Sequence, residues 1–300
     1  MSGSFYATQQ QQPLLRRRME AIIALGEGSF GNSGFNTVTL RGLQMSATVI
    51  KAGGASMGSL QLHIWGMELS KMNQLSTLGK LPMTIRNNTI SLKAGDDSAG
   101  LGVVFEGTIA EAWTDFQQAP DSVFHITAYS GLLAATRPIP PFTAQGSADV
   151  ATIMSSLASQ MGLTFENNGV TVKLQNPYFP GTAREQAQRC ADAAGINWII
   201  DNGKLAIWPK GKNRGETNVV VSPETGMIGY PTFTSTGVVV TTLYNPSLGF
   251  ASKVDLKTIL KPAQGVWVIY NLTHILEAEM PGGSWMTRFE AAPPGYTPVR

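Results

Sequence analysis

Over residues 36–131 apolar side chains return at every second position, the period that sends successive side chains to opposite faces of a strand. Val38 and Leu40 alternate with Thr37, Thr39 and Arg41, and after Gly42 the pattern resumes at Leu43, Met45, Ala47 and Val49. The glycine therefore predicts a register shift or bulge. Leu60, Leu62 and Ile64 continue the alternation, with Gln61, His63 and Trp65 on the opposite face, and Ile90, Leu92 and Ala94 repeat it. Val103 to Ile109 and Val123 to Tyr129 supply two further strands, and only Glu68 to Leu78 has helical spacing. Residues 36–136 thus predict a closed or nearly closed antiparallel sheet with one helix. The stretch before it, 1–35, with Gln9 to Gln12 and Pro13 near its start, reads as an N-terminal arm.

After the stiff segment Arg137-Pro138-Ile139-Pro140-Pro141 the period changes. Ser147 or Asp149 can cap a helix carrying Ile153, Leu157, Ala158 and Met161, which Gly162 stops. Leu163 to Glu166 and Val170 to Leu174 follow as a predicted hairpin around Asn167-Asn168-Gly169. The same grammar then recurs. Thr182 and Glu185 form a capping box, Ala187, Cys190, Ala191 and Ala194 line one helix face, and Gly195 ends it. Ile196 to Ile200 and Lys204 to Trp208 flank Asp201-Asn202-Gly203. Residues 146–210 therefore read as a small insert built from a duplicated helix-plus-hairpin unit.

From 216 to 292 strands return, at Val219 to Val221, Tyr230 to Thr234, Val238 to Tyr244, Val254 to Leu260, Val266 to Leu276 and Trp285 to Ala291, and 293–300 reads as an extended tail. The predicted fold class is mainly β: two tube-like antiparallel barrels flanking a small α+β domain.

Composition narrows what such a chain does. Only 14% of its 300 residues are charged and the formal net charge is +2, against about 25% charged residues in typical soluble domains. A surface so poor in charge is suited to burial against neighbouring subunits. It is not suited to neutralising phosphates, although Arg16-Arg17-Arg18 and the group Lys204, Lys210, Lys212 and Arg214 form two small basic clusters. The single cysteine, Cys190, allows no internal disulfide and no thiolate metal cluster, which points to a reducing compartment. No run reaches the ~20 apolar residues of a membrane span, and the short run from Met19 to Leu25 is no signal sequence.

Two motifs invite enzymatic readings. Gly26-Glu27-Gly28-Ser29-Phe30-Gly31 fits GxGxxG, and Val49-Ile50-Lys51 imitates the lysine strand of a kinase. However, no histidine precedes an arginine, Asp115-Phe116 is followed by Gln117, and the residues after Gly31 predict strand where a phosphate-binding helix is needed. Gly54-Ala55-Ser56-Met57-Gly58 fits the GxSxG elbow, which requires a strand-to-helix turn, yet Leu60 to Trp65 continues as strand. A hydrolase using Ser56 is the enzymatic alternative. His63, His125 and His274 lie apart within strands, and Glu277 with Glu279, or Asp96 with Asp97, shows no acid and base spacing. No catalytic, cofactor-binding or metal-binding residue is assigned.

The layout itself carries a resemblance. Val104-Phe105-Glu106-Gly107-Thr108-Ile109 followed by Phe124-His125-Ile126-Thr127-Ala128, then Ile196 to Trp208, then Trp267 to Leu276 with Trp285-Met286-Thr287 around Pro281-Gly282-Gly283, resemble in order the baseplate hub proteins of contractile-tailed bacteriophages. These are the family of the late control protein D and the hub portion of type VI secretion spike proteins. The resemblance covers roughly residues 36–292 and implies a virion protein, assembled in the host cytoplasm, without enzymatic activity. It implies a homotrimer whose two barrels per chain form a ring of six, joining a sixfold tail tube to a threefold central spike. The implied partners are the tube protein or tube initiator, the spike, the tape measure protein and baseplate wedge proteins, with DNA passing through the channel without specific binding. With the sequence ending at Arg300, the spike is expected to be a separate protein. Another tail-tube-like component, such as a distal tail or tube protein, is the structural alternative.

Overall fold

The computed structural model describes residues 16–31, 34–77, 87–98, 100–117, 119–215 and 218–295. The first β unit contains β1 (Arg17–Ala24), β2 (Thr37–Arg41), β3 (Met45–Lys51), β4 (Ser59–Trp65), the helix α1 (Leu69–Leu75), β5 (Thr89–Asp96), β6 (Gly100–Asp115) and β7 (Val123–Tyr129). Alternation along these strands does what the pattern predicts. Met45, Ala47 and Val49 of β3, Leu60, Leu62 and Ile64 of β4 and Phe124, Ile126 and Ala128 of β7 enter one core, while their neighbours stay on the open face.

Strand β1 corrects the arm reading for Arg17–Ala24; residues 1–15 of the expected arm and 296–300 of the expected tail lie outside the described residues. The strand pairs along its whole length with β5 and also with β2, and Met19, Ala21 and Ile23 are buried in the core. The run Ala21-Ile22-Ile23-Ala24 hides the alternation, and Glu20 looks misplaced in a strand until its partners are seen. Its buried carboxylate is met by Arg41 on β2 and Lys93 on β5. Gly42 is also not a bulge. With φ +66 it ends β2, which pairs only with β1, and lets the chain turn into β3, which pairs elsewhere.

The insert contains α2 (Leu132–Thr136), β8 (Phe142–Thr143), β9 (Ser147–Asp149), α3 (Val150–Gln160), β10 (Thr164–Asn167), β11 (Lys173–Gln175), β12 (Tyr178–Phe179), α4 (Ala183–Ala194), β13 (Ile196–Asp201) and β14 (Lys204–Pro209). Asp149 caps α3, Thr182 and Glu185 make the expected capping box on α4, and Gly195 closes α4 in the left-handed conformation. Strands β13 and β14 form the expected hairpin, with Asn202 and Gly203 both at positive φ in its two-residue turn. The first copy of the predicted unit does not form its hairpin. Strand β10 pairs in parallel with β14, and β11 pairs with β9. The Asn167 side chain both accepts from Val170 N and donates to Val170 O, which closes a local turn, and Asn168 N donates to Ile207 O, which carries the chain toward β14.

The second β unit contains β15 (Asn218–Val221), β16 (Met227–Phe233), β17 (Val238–Leu243), β18 (Lys253–Leu256), β19 (Gly265–Ala278) and β20 (Trp285–Ala292). It has its own core, including Val238, Val240, Leu272, Phe289 and Ala291. The two β units are not separate sheets. The order β16-β17-β20-β19-β3-β4-β7-β6-β5-β1-β2 is continuous, with β18 pairing β19 and β15 pairing β18. The crossing point is β19, whose C-terminal half pairs with β3 from Leu272↔Lys51 to Ala278↔Met45. Leu276 and Ala278 thereby enter the first unit's core. The far end of that sheet returns to the same strand: Arg16 forms a two-pronged pair with Glu279, at 3.0 and 2.7 Å, and Arg17 donates to Gly283 O at 2.8 Å.

Because Leu276 is fully buried in a core formed by the other β unit, Leu276→Ala is expected to cost about 2–5 kcal/mol. Urea unfolding followed by tryptophan fluorescence and by far-UV circular dichroism checks this, with both β units expected to melt in one coincident transition at a lower midpoint.

Candidate functional site at the junction of three modules

The residues with enzyme-like spacing fall in places that explain their presence otherwise. The Gly26–Gly31 segment links β1 to β2 and leads into strand, not helix; Gly26 N donates to Asn88 Oδ1 and Phe30 N to Phe35 O. The Ser56 loop joins β3 to β4 and faces the insert. One nitrogen of Arg184 on α4 donates to the carbonyls of Gly54, Ala55 and Ser56 at 3.0, 3.1 and 3.0 Å, while Gly54 N donates to Trp198 O at 2.8 Å. Arg184 is itself buried, with its guanidinium 5.0 Å from the Trp198 ring. The loop is a docking surface held by its own backbone.

The histidines do not come to Ser56. His63 and His125 stand opposite one another on β4 and β7, with ring centroids 4.5 Å apart, and His125 stacks on Trp113 at 4.1 Å. Burial pushes both imidazoles down, which favours their neutral forms. His274 is bonded through Nδ1 to Thr287 Oγ1 at 2.8 Å and lies edge-on to Tyr244; burial lowers its pKa to about 3. Cys190 is buried in the insert core, and burial pushes its thiol up to about 12. Among the described residues no three His, Cys, Asp or Glu side chains gather in a group able to hold a metal ion.

Sequence reading missed the most concentrated chemistry in the molecule, a buried chain of charges joining three segments. Lys51, at the end of β3, is paired with Asp201, at the end of β13, and also donates to Asn202 Oδ1 at 2.8 Å. Asp201 is held from the other side by Arg214, at 3.0 Å, and Arg214 forks onto Glu166 of β10 at 2.9 and 3.1 Å. Burial alone would raise the Asp201 carboxyl, but Lys51 and Arg214 outweigh it and hold it below the ordinary range. The Arg214 hydrogen bonds likewise hold Glu166 down. Burial pushes Lys51 down, opposed by Asp201. No local motif marks this network, because Lys51 and Asp201 are 150 positions apart. The one available signal was that Lys51 ends a strand at an inward position, after Met45, Ala47 and Val49.

Beside the network lies a cavity of about 400 Å³ whose walls include Gly53, Ser56, Trp198, Trp208, Phe250 and Tyr270, with Lys210 and Lys212 at its rim. Gly53 is required there: a Cβ would sit 2.6 Å from the Phe250 ring. Phe250, Trp208, Ile199, Ala206 and Ala251 make a small core of their own between insert and second β unit. The arrangement fixes three modules to each other, and among the described residues it brings no nucleophile, base and oxyanion donor to one place.

Comparison with known proteins bears on the same architecture. A family model described as Baseplate hub gp41 matches residues 26–279. The chain belongs to the baseplate hub gp41 family. That family is one of structural proteins of bacteriophage tails, which makes the chain a virion component. A search of curated proteins by sequence finds no match. Among solved structures, the chain is similar to the 43 kDa tail protein of prophage MuSo2 from Shewanella oneidensis, with TM-score 0.60 and 11% identity over 92% of this chain and 97% of that one. It is also similar to the tail protein from Neisseria meningitidis MC58, with TM-score 0.59 and 10% identity over 92% and 97% of the two chains. A third is the E. coli c3393 protein, described as a type VI secretion component similar to the T4 tail proteins gp27 and gp5, with TM-score 0.58 and 11% identity over 85% of this chain and 76% of that one. At such identities the likeness is one of fold, and it agrees with the mainly β architecture expected of a baseplate hub protein.

The junction gives the hub chain a specific pH dependence. Asp201 and Glu166 are depressed, so their contribution is complete above the unfolded carboxylate values of about 3.9 and 4.3 and is lost as pH falls through the lower folded values. His274 acts at higher pH. The unfolded chain takes up its proton near 6.5 while the folded chain refuses it until about 3, so stability falls by about 1.4 kcal/mol per unit as pH drops through that interval. Melting temperatures between pH 4.5 and 7.5 are expected to slope less for His274→Asn than for the wild type. Asp201→Asn is expected to lower the midpoint at pH 7 and to weaken the further loss below pH 4.

Proposed function

We propose that this chain is the hub subunit of a tail baseplate and assembles as a homotrimeric ring that adapts a sixfold tail tube to a threefold central spike. The observation that carries this reading is the β3–β19 ladder. It joins the two β units of one chain into a single sheet with a fixed mutual orientation. Three such chains present six β units around one axis while retaining threefold symmetry. The sheet's open face runs without a break between the units: Thr241, Arg288, Thr273, Ile50, Ser59 and Tyr129 are direct neighbours across successive strands.

The resemblance to baseplate hub proteins supplies the partners of this ring. The sixfold side receives the tube protein or its initiator, the threefold side receives the spike, and wedge proteins bind outside. Tape measure protein and DNA pass through the channel, which a chain with net charge +2 neither grips as a polyanion trap nor strongly repels. The likeness to the c3393 protein, described as a type VI secretion component similar to the T4 tail proteins gp27 and gp5, supports a tail-hub reading in which the spike is a separate protein. The docked state of the Ser56 loop supports a structural role over hydrolysis.

Mass photometry and negative-stain averaging of the purified protein, alone and with its spike, test the reading. Particles of three times 32.1 kDa with threefold averages are expected. Sixfold rings would instead favour a tube component, and a monomer at every concentration that binds neither spike nor tube would overturn the hub assignment. Ser56→Ala is expected to leave assembly unchanged.

A further inference from the structure

The free edge of the sheet has a composition unlike the rest of the chain. From Thr225 to Ser252 there are 28 consecutive residues without one Asp, Glu, Lys or Arg, where the chain's average of 14% charged would place about four. This stretch contains the β16–β17 hairpin, and β16 is the last strand of the sheet on that side. The hairpin exposes Ile228 (45%), Tyr230 (62%), Phe233 (52%) and Leu243 (50%). Ile228 faces Thr241, two residues from Leu243, so those two side chains are diagonal neighbours on one face.

Sheet edges in soluble monomers are normally guarded by charge, bulges or proline. This edge has the backbone guards and lacks the charge. The ladder between β16 and β17 is irregular between Ile228 and Thr232, and Pro231 has no N–H to offer an incoming strand. Strand addition is therefore blocked while large apolar side chains remain exposed, the combination expected of a surface covered by side-chain packing. On one face, Ile228, Tyr230 and Leu243 together expose about 350 Å², within the range where patches on monomers are functional. That area is a little under half of the ~800 Å² that one partner contributes to a stable interface.

We infer that Ile228, Tyr230 and Leu243 form the face that seats on a second copy of this chain; Phe233, paired with the buried Val238, lies on the other side of the hairpin. The inference rests on the hub reading above and specifies its subunit contact. The molecule supplies an apolar complement on its other β unit: β6 exposes Leu101 and Val103 near its start and Trp113 near its end, with Phe116 just beyond. Contact between two different surfaces of identical chains propagates head to tail, and closes into a ring when the rotation between copies is a whole fraction of a turn, as a threefold hub requires.

The test uses the buried state of Cys190, the only cysteine. Tyr230→Cys, labelled with a benzophenone maleimide, offers one reactive position on the patch, and Ile228→Asp/Leu243→Asp places charge on it. Circular dichroism and the thermal midpoint confirm folding of each variant. The expected result is a photo-crosslink to another copy in its first β unit, with at least a tenfold rise in the concentration needed for trimers of the doubly charged variant. Trimers that persist unchanged, with no intermolecular adduct at residue 230, would overturn this surface and leave the trimer intact. Adducts formed only with added spike or tube protein would overturn a second copy as the occupant. A wild-type protein that is monomeric throughout would overturn both the surface and the hub reading.

Discussion

Strand β19 is fourteen residues long, about 45 Å of extended chain, and it is paired on both edges for most of that length. Its first residues pair with β18 and its last seven register partners lie on β3, while β20 covers the other side. A strand this long can serve two cores only if its inward side chains change allegiance along the way. Leu272 packs in the second unit's core, whereas Leu276 and Ala278 pack in the first. The relative orientation of the two β units is thus set by backbone hydrogen bonds, which resist shear in a way that a side-chain interface between separate domains does not. Arg16, Arg17 and Glu279 then tie the opposite end of the first unit's sheet to the end of that strand.

The insert is secured differently. It interrupts the sequence between β7 and β15, so its docking depends on contacts made across the junction. Arg184 binds three carbonyls of one loop, and Lys51, Asp201, Arg214 and Glu166 alternate in sign from the first unit through the insert to the linker. Buried ion pairs are poor contributors to net stability, but an orphaned member is costly, at about 3–5 kcal/mol. A network of this kind therefore discriminates strongly against misdocked arrangements. The adjacent small core around Trp208 and Phe250 supplies the apolar part of the same contact.

Much of this was legible in sequence where local chemistry decides structure. The period-two runs of β3, β4 and β7, the capping box at Thr182 and Glu185, and the Asn202-Gly203 turn each specify their element from neighbours a few residues away. The reading failed where distant partners decide. Glu20 makes β1 look unlike a strand until Arg41 and Lys93 arrive to satisfy it. Asn167-Asn168-Gly169 has hairpin chemistry, yet β14 offered β10 an open edge, so the local turn was used for another path. The continuity of the two β units and the Lys51 network depend on pairings more than 100 residues apart, which no window along the chain contains.

The scarcity of charge also takes on a spatial form. Several charged side chains are engaged within the chain: Arg16, Arg17 and Arg18, at exposed positions, on the closing contacts of the first unit, and Lys51 and Arg214 at the junction. The arginine triplet that resembles an anion-binding arm in sequence is, in this fold, engaged with Glu279, the Gly283 carbonyl and Asp97. The surface of the β16–β17 hairpin carries only hydroxyl and apolar side chains. Solubility in such a chain depends less on its own charged surface than on how much of that surface its neighbours cover. The same feature that weakens it as a free monomer suits it to a closed assembly, because uncharged faces can be buried without the desolvation cost of ions.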